Sequence, residues 1–210
     1  MAIYEPISKV NLERITNGIF AFTMTLLARN ILMPDPGSVK DLLTFDTYIL
    51  KAILSVIDFV GIFILLAMFW MLFFQMFRRM KTYDYHFLHV HMLALMAIVL
   101  LPFTSGFTAL SENLPFADLF FQANYLMLGV ILAYLWHYAL SRPELLAPGL
   151  SDRDARFLLQ KCLVPPAVAG LGIIMVLSSI KYLDLLYFLP FIIIAIFFRE
   201  PPVEEPIPEG

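Results

Sequence analysis

Residues 11–33 read NLERITNGIFAFTMTLLARNILM, and this stretch decides how the rest of the chain is read. From Gly18 to Ala28 it has no charge and no proline, as a helix needs if it is to lie in hydrocarbon with its backbone groups paired internally. Its small and polar residues are ordered. Gly18, Phe22, Thr25 and Arg29 recur at steps of four, three and four and so share one helical stripe, while Phe20, Met24, Leu27 and Ile31 form a second, wholly apolar stripe. A helix of this kind turns its Gly/Thr/Arg face toward other helices or toward water, so the stripe reads either as a packing surface or as the lining of a pore.

Composition sets the class. The chain has 210 residues, is 60% hydrophobic and only 15% charged, with a mean hydropathy of +0.81. A soluble domain is typically about half apolar, so this is an integral membrane protein that partners a lipid bilayer. A net charge of −3 gives no support to nucleic-acid binding. One cysteine, Cys162, precludes an intrachain disulfide and argues against a cysteine metal cage; it reads as a small buried apolar residue. The first apolar run is long, holds Arg29 near its end and is followed by MPDPG without a small-residue cleavage pattern, so it is expected to be retained.

Working outward, hydropathy predicts a single all-α transmembrane domain over residues 1–198, with six helices at about 10–33, 46–77, 86–103, 116–140, 157–180 and 182–198. Pro34, Asp35, Pro36 and Gly37 end the first. The second has an uncharged stretch from Phe59 to Phe77, long enough to span, and is closed by Arg78, Arg79 and Lys81. The third is expected to stop at Pro102, leading into a polar loop, TSGFTALSENLP. The fourth is followed by the linker SRPELLAPGLSDRD, and the fifth contains Pro165, Pro166, Gly170 and Gly172, which predict a bend or close packing. Residues 199–210, REPPVEEPIPEG, read as a disordered tail.

Six spans with the N-terminus inside put Lys9, Arg14, Arg78, Arg79, Lys81, Arg142, Arg153, Arg156, Lys161 and Arg199 on the cytoplasmic side, ten of the 14 basic residues. The positive-inside rule therefore predicts that both termini are cytoplasmic.

Beyond the stripe, Asp58 lies inside the second span, and an intramembrane carboxylate suggests either proton handling or a structural hydrogen bond. His86, His89 and His91 open the third helix near Asp84; His86 and His89 share a face, where pH sensing or weak metal binding competes with a plain interfacial cluster. His137 beside Trp136 reads as an interface anchor. No nucleophile–base pair, glycine-rich phosphate loop or zinc helix is present, so neither an enzyme, a catalytic residue, a resident metal nor a cofactor is expected.

The run LERITNGIFAFTMTLL (12–27) resembles the first helix of the transmembrane protein 175 potassium-channel family of lysosomes and prokaryotes, whose signature is Arg, three residues, then Phe-Ser-Asp. Trp70 and Phe77, LLPFTSGF (100–107) and NYLMLGVILAYLWHYAL (124–140) resemble family patterns in the same order. The signature is degenerate here: Asn11 stands where the family has Arg, and Ile15, Thr16 and Asn17 stand at Phe, Ser and Asp. Phe73 and Phe74 replace paired histidines, and His91 falls near a usual asparagine.

The resemblance implies a homo-oligomer of six-span subunits, tetrameric in prokaryotes, whose first helices surround a central path for potassium and other monovalent cations. The family's apolar and threonine layers carry over to Phe22, Thr25, Leu26 and Arg29, nearly the residues of the stripe, with Gly18 one turn earlier. The leading expectation is a potassium-preferring cation leak channel in the plasma (inner) membrane. The alternatives are a proton-linked carrier or proton leak using Asp58 and the histidines, and a non-conducting structural subunit.

Overall fold

The computed structural model describes residues 8–31, 42–110, 115–179 and 186–198. Among these there are six α-helices: α1 (Lys9–Leu27), α2 (Leu42–Arg78), α3 (Tyr85–Leu110), α4 (Pro115–Leu140), α5 (Asp152–Leu177) and α6 (Leu189–Phe197). Four of them, α2 to α5, are long and apolar enough to cross a bilayer by length and composition. The 19-residue α1 is shorter than expected: its α-geometry ends at Leu27, and a single 3₁₀ turn, Ala28–Asn30, carries the chain on. The described part of α6 is nine residues. The expected Pro34–Gly37 helix stop and the 199–210 tail lie outside the described residues.

Two boundaries differ for identifiable reasons. The third helix runs through Pro102 to Leu110 instead of stopping there. Proline deletes one ladder hydrogen bond, and a membrane helix tolerates this when nearby hydroxyls and amides take up the freed backbone groups. Here Thr104 donates to the Leu101 carbonyl (3.1 Å), Ser105 to that of Pro102 (3.1 Å) and Thr108 to that of Ser105 (2.7 Å), while Asn30 of the α1 end donates to the Pro102 carbonyl (2.8 Å). The fifth helix begins five residues early, at Asp152, because Ser151 caps it and accepts from the Asp154 N–H at 3.1 Å. Acidic Asp152 and Asp154 in the first turn favour the positive end of the helix dipole.

Pairings across the bundle fix its directions. Asn124 donates to the Ala97 carbonyl and Tyr138 to Asp84, so α3 and α4 are antiparallel. In α4 and α5, Gly129 faces Pro166 and Gly172 faces Gln122, again antiparallel. A Cβ at Gly129 would fall 2.8 Å from the Pro166 nitrogen, so the two backbones approach as closely as glycine allows. Trp136 closes the other end of this pair by donating to the Ala155 carbonyl at 2.9 Å. The α1 helix runs parallel to α3, as the Thr16–His91 and Asn30–Pro102 contacts show, and antiparallel to α2, with Lys9 reaching the Met80 carbonyl at 2.6 Å.

The loops after α2 and α4 pair through Lys81 N–H to Leu145 (2.8 Å) and Ala147 N–H to Arg79 (3.0 Å). This gathers Lys9, Arg78, Arg79, Lys81, Arg142, Arg153 and Arg156 at one end of the bundle. Lys161, counted with the cytoplasmic basic residues, is buried inside α5, with Nζ 3.3 Å from Gln75 Oε1 and 4.7 Å from the Phe157 ring centre.

Candidate functional site, the outward face of α1

The two stripes of α1 have opposite environments. Leu12, Thr16, Phe20, Thr23 and Leu27 are buried against α2 and α3, with Phe20 and Leu27 each 1% exposed. Gly18, Phe22, Thr25 and Arg29 face out of the subunit; Phe22 is 61% exposed, and Leu26 is half-buried at the stripe's margin. Asn11 and Ile15 are also exposed and continue the same alternation of three and four, so one stripe runs Asn11, Ile15, Gly18, Phe22, Thr25, Arg29. The outward faces of α2 to α4 carry Phe45, Ile49, Leu50, Ile53, Met96, Val99 and Val130, which suit acyl chains. The α1 stripe, with an amide, a glycine, a hydroxyl and a guanidinium, does not.

Thr16 and Asn17 hold this helix in place. Thr16 Oγ1 donates to the Leu12 carbonyl (2.8 Å) and meets His91 Nε2 at 2.8 Å. His91 is buried between Phe73, Phe77 and Phe87, whose ring centres lie 5.2, 5.4 and 6.1 Å from its own. Asn17 Oδ1 accepts from Trp70 Nε1 at 2.9 Å. One residue thus ties α1 to α3 and the next ties it to α2.

Thr25 Oγ1 donates to its own helix, to the Ala21 carbonyl at 2.8 Å. The proton is thereby spent inward, and the lone pairs that remain are acceptors. Arg29 sits beyond the last α-helical residue, in the 3₁₀ turn.

The other candidates are not brought together. His86 Nε2 bonds the Tyr134 hydroxyl (2.9 Å), His89 Nδ1 bonds the Tyr85 carbonyl of its own helix (2.6 Å), and His91 is sealed inside. Asp58 lines a cavity near the far end of the bundle, with Asn30 and Ser105. The three histidines thus have separate partners, and no group of three metal-ligating side chains exists among the described residues. At the basic end, Asp84 caps α3 by accepting from the Phe87 N–H (2.8 Å) and takes the Tyr138 hydroxyl at 2.5 Å. Burial pulls its pKa upward, but those two hydrogen bonds, with Arg142 and His86 nearby, outweigh burial and hold it below the ordinary carboxylate value.

Asn30, Gln75 and Asn124 escaped the sequence reading. Each is a single amide in or beside an apolar run, and the signal that marks it is that a membrane helix rarely leaves an amide without a partner.

The chain is an all-helical integral membrane protein whose first helix is pinned by a polar pair and shows a polar stripe outward. Over residues 11–102 the chain matches the family model described as endosomal/lysosomal potassium channel TMEM175, an ion-channel family and not an enzyme family, so the resemblance seen in its first helix is shown over that segment. Its fold is similar to the crystal structure of a lysosomal potassium-selective channel TMEM175 homolog from Chamaesiphon minutus, with a TM-score of 0.65 and 19% identity, covering 88% of this chain and 96% of that one. No curated protein matches the sequence.

Proposed function

We propose that this chain is the subunit of a potassium-preferring cation leak channel, in which four copies turn their α1 stripes toward one central path across the plasma membrane, with both termini cytoplasmic. The observation that carries the reading is the outward exposure of Gly18, Phe22, Thr25 and Arg29 on a helix whose other side is fully packed. Potassium is the ion named for the matching family and for the solved homolog.

In such an assembly the Phe22 rings form the narrow apolar layer, closing the path by size and by dewetting. One helical turn on, the Thr25 hydroxyls, which donate to the Ala21 carbonyls and so turn their lone pairs outward, replace part of a cation's hydration shell. Arg29 sets a limit on the geometry. A guanidinium about 6 Å from a monovalent cation repels it by roughly 3 kcal/mol at an effective dielectric near 20, so four facing the axis would add on the order of 10 kcal/mol. Arg29 therefore points away from the axis, toward the interface water that the end of the helix lets it reach.

The test is ion flux through purified protein in liposomes under a potassium gradient, compared with sodium and proton gradients. Phe22→Ala is expected to raise monovalent flux and lower selectivity, and Thr25→Val to weaken the preference for potassium while keeping the shape. Leu27→Ala acts on the packed side and is expected to cost about 2–5 kcal/mol of stability without changing ion preference. A Leu27 effect on selectivity with none from Phe22 or Thr25 refutes the assigned face; no flux under any gradient leaves a structural subunit.

A further inference from the structure

On the flank of α5, at the end of the bundle where the basic residues gather, lies a cavity of about 510 Å³ walled by Asp152, Arg153, Arg156, Phe157 and Gln160. Arg153, Arg156, Phe157 and Gln160 recur at steps of three, one and three and so share one helical face. Part of the wall is aromatic. The Phe157 ring centre lies 5.5 Å from that of Phe198 at the end of α6, and the Nζ of buried Lys161 stands 4.7 Å from it.

The two guanidiniums at this cavity are exposed, and neither forms an ion pair or a hydrogen bond within the subunit among the described residues. Asp152 is the one carboxylate on the described wall, and neighbouring Asp154 accepts from the Ser151 hydroxyl at 2.7 Å. Two positive charges against one negative leave a net positive charge, and the arginine fork matches the oxygens of a phosphate. Position says which phosphate. From Phe157 to Leu177 the helix runs for about 30 Å at a rise of roughly 1.5 Å per residue, the thickness of a bilayer's hydrocarbon. The one charge in that stretch, Lys161, is buried inside the subunit, so Arg153 and Arg156 stand at headgroup level. Beyond them on the same face Leu163, Ala167, Leu171 and Ile174 are exposed, an apolar track that acyl chains can follow. A soluble phosphate uses the arginines alone, whereas a phospholipid uses both parts. A zwitterionic headgroup adds an ammonium that the arginines repel, so the charge selects an anionic one.

We propose that this cavity binds the headgroup phosphate of an anionic phospholipid, with Arg153 and Arg156 as its ligands and the acyl chains lying along the α5 track. The site is built on α5 and does not rest on the channel reading.

The experiment is thermal denaturation of the delipidated full chain in detergent, titrated with short-chain phosphatidylglycerol, short-chain phosphatidylcholine or glycerol phosphate at constant ionic strength. A ligand that binds only the folded state raises the melting temperature with its concentration. Phosphatidylglycerol is expected to do so with a midpoint about tenfold or more below that of either other compound. Arg153→Gln and Arg156→Gln each remove a charge-assisted hydrogen bond and are expected to move that midpoint about tenfold higher. Arg78→Gln, at the same end of the bundle but on α2, is expected to leave it unchanged. Equal midpoints for phosphatidylglycerol and phosphatidylcholine overturn the proposal. So does an Arg78→Gln effect equal to those of the α5 variants, which marks a general response to surface charge. Glycerol phosphate acting as well as the lipid overturns the assignment to a phospholipid. Should one arginine variant fail to fold, an unmoved midpoint in the other overturns the proposal equally.

Discussion

Thr16→Val replaces a buried hydroxyl by a methyl of nearly the same shape and removes a polar link between the middle of α1 and α3. Thr16 is 2% and His91 0% exposed. Thr16 gives its proton to the Leu12 carbonyl, so His91 Nε2 acts as the donor in the 2.8 Å contact, and His91 Nδ1 is left as a buried acceptor with no hydrogen-bond partner. In Thr16→Val the Nε2–H loses its acceptor as well. Interhelical hydrogen bonds inside membrane proteins average about 0.6 kcal/mol and reach about 1.7. An orphaned buried donor costs about 1–3 kcal/mol, which places this change at the upper end, near 2.

For a chain of this length that corresponds to a fall of roughly 4–8 °C in melting temperature, read by size-exclusion after heating in detergent. A double-mutant cycle separates the link from simple packing. Replacing His91 by Phe removes both orphan nitrogens among three phenylalanines, so His91→Phe with Thr16→Val is expected to recover much of the loss, whereas independent sites add. Strict additivity, or a Thr16→Val protein as stable as the parent, refutes the assignment of Thr16–His91 as the pin of α1.

Two further outcomes follow from the basic end of the bundle. Cysteines placed at 79 and 153 are expected to be shielded from an impermeant thiol reagent in intact cells, and those at 40 and 111 to react; the native Cys162 is buried and stays silent, and labelling at 153 but not 40 inverts the topology. For Asp84, a folded pKa below the unfolded value means its contribution is present above the ordinary carboxylate range and is lost as pH falls through the lowered folded value. The stability advantage of the parent over Asp84→Asn is therefore expected to hold near neutrality and to shrink below about pH 4, while an advantage that grows on acidification refutes the Tyr138–Asp84–Phe87 arrangement.

Much of this was legible in the sequence because a bilayer imposes strong rules on a chain. The apolar runs that became α2 to α5 could do little else, and spacing separates a stripe through Phe20 and Leu27 from one through Gly18, Phe22 and Thr25, while burial shows that the first is packed and the second exposed. What spacing could not reveal was partnership over long separation. Pro102 reads as a stop until Asn30, 72 residues away, is seen donating to its carbonyl. Lys161 counts as a cytoplasmic-side charge until Gln75, 86 residues away, is found beside it, and the histidines read as a cluster until each is seen to have a different neighbour. The same reasoning explains what Thr16 and Asn17 do on α1. Their roles need a hydroxyl within reach of His91 and an amide oxygen within reach of Trp70, and neither needs a net charge. A neutral pin costs less to bury than an ion pair, and these two neutral contacts fix the placement of α1 and with it the face that the helix presents.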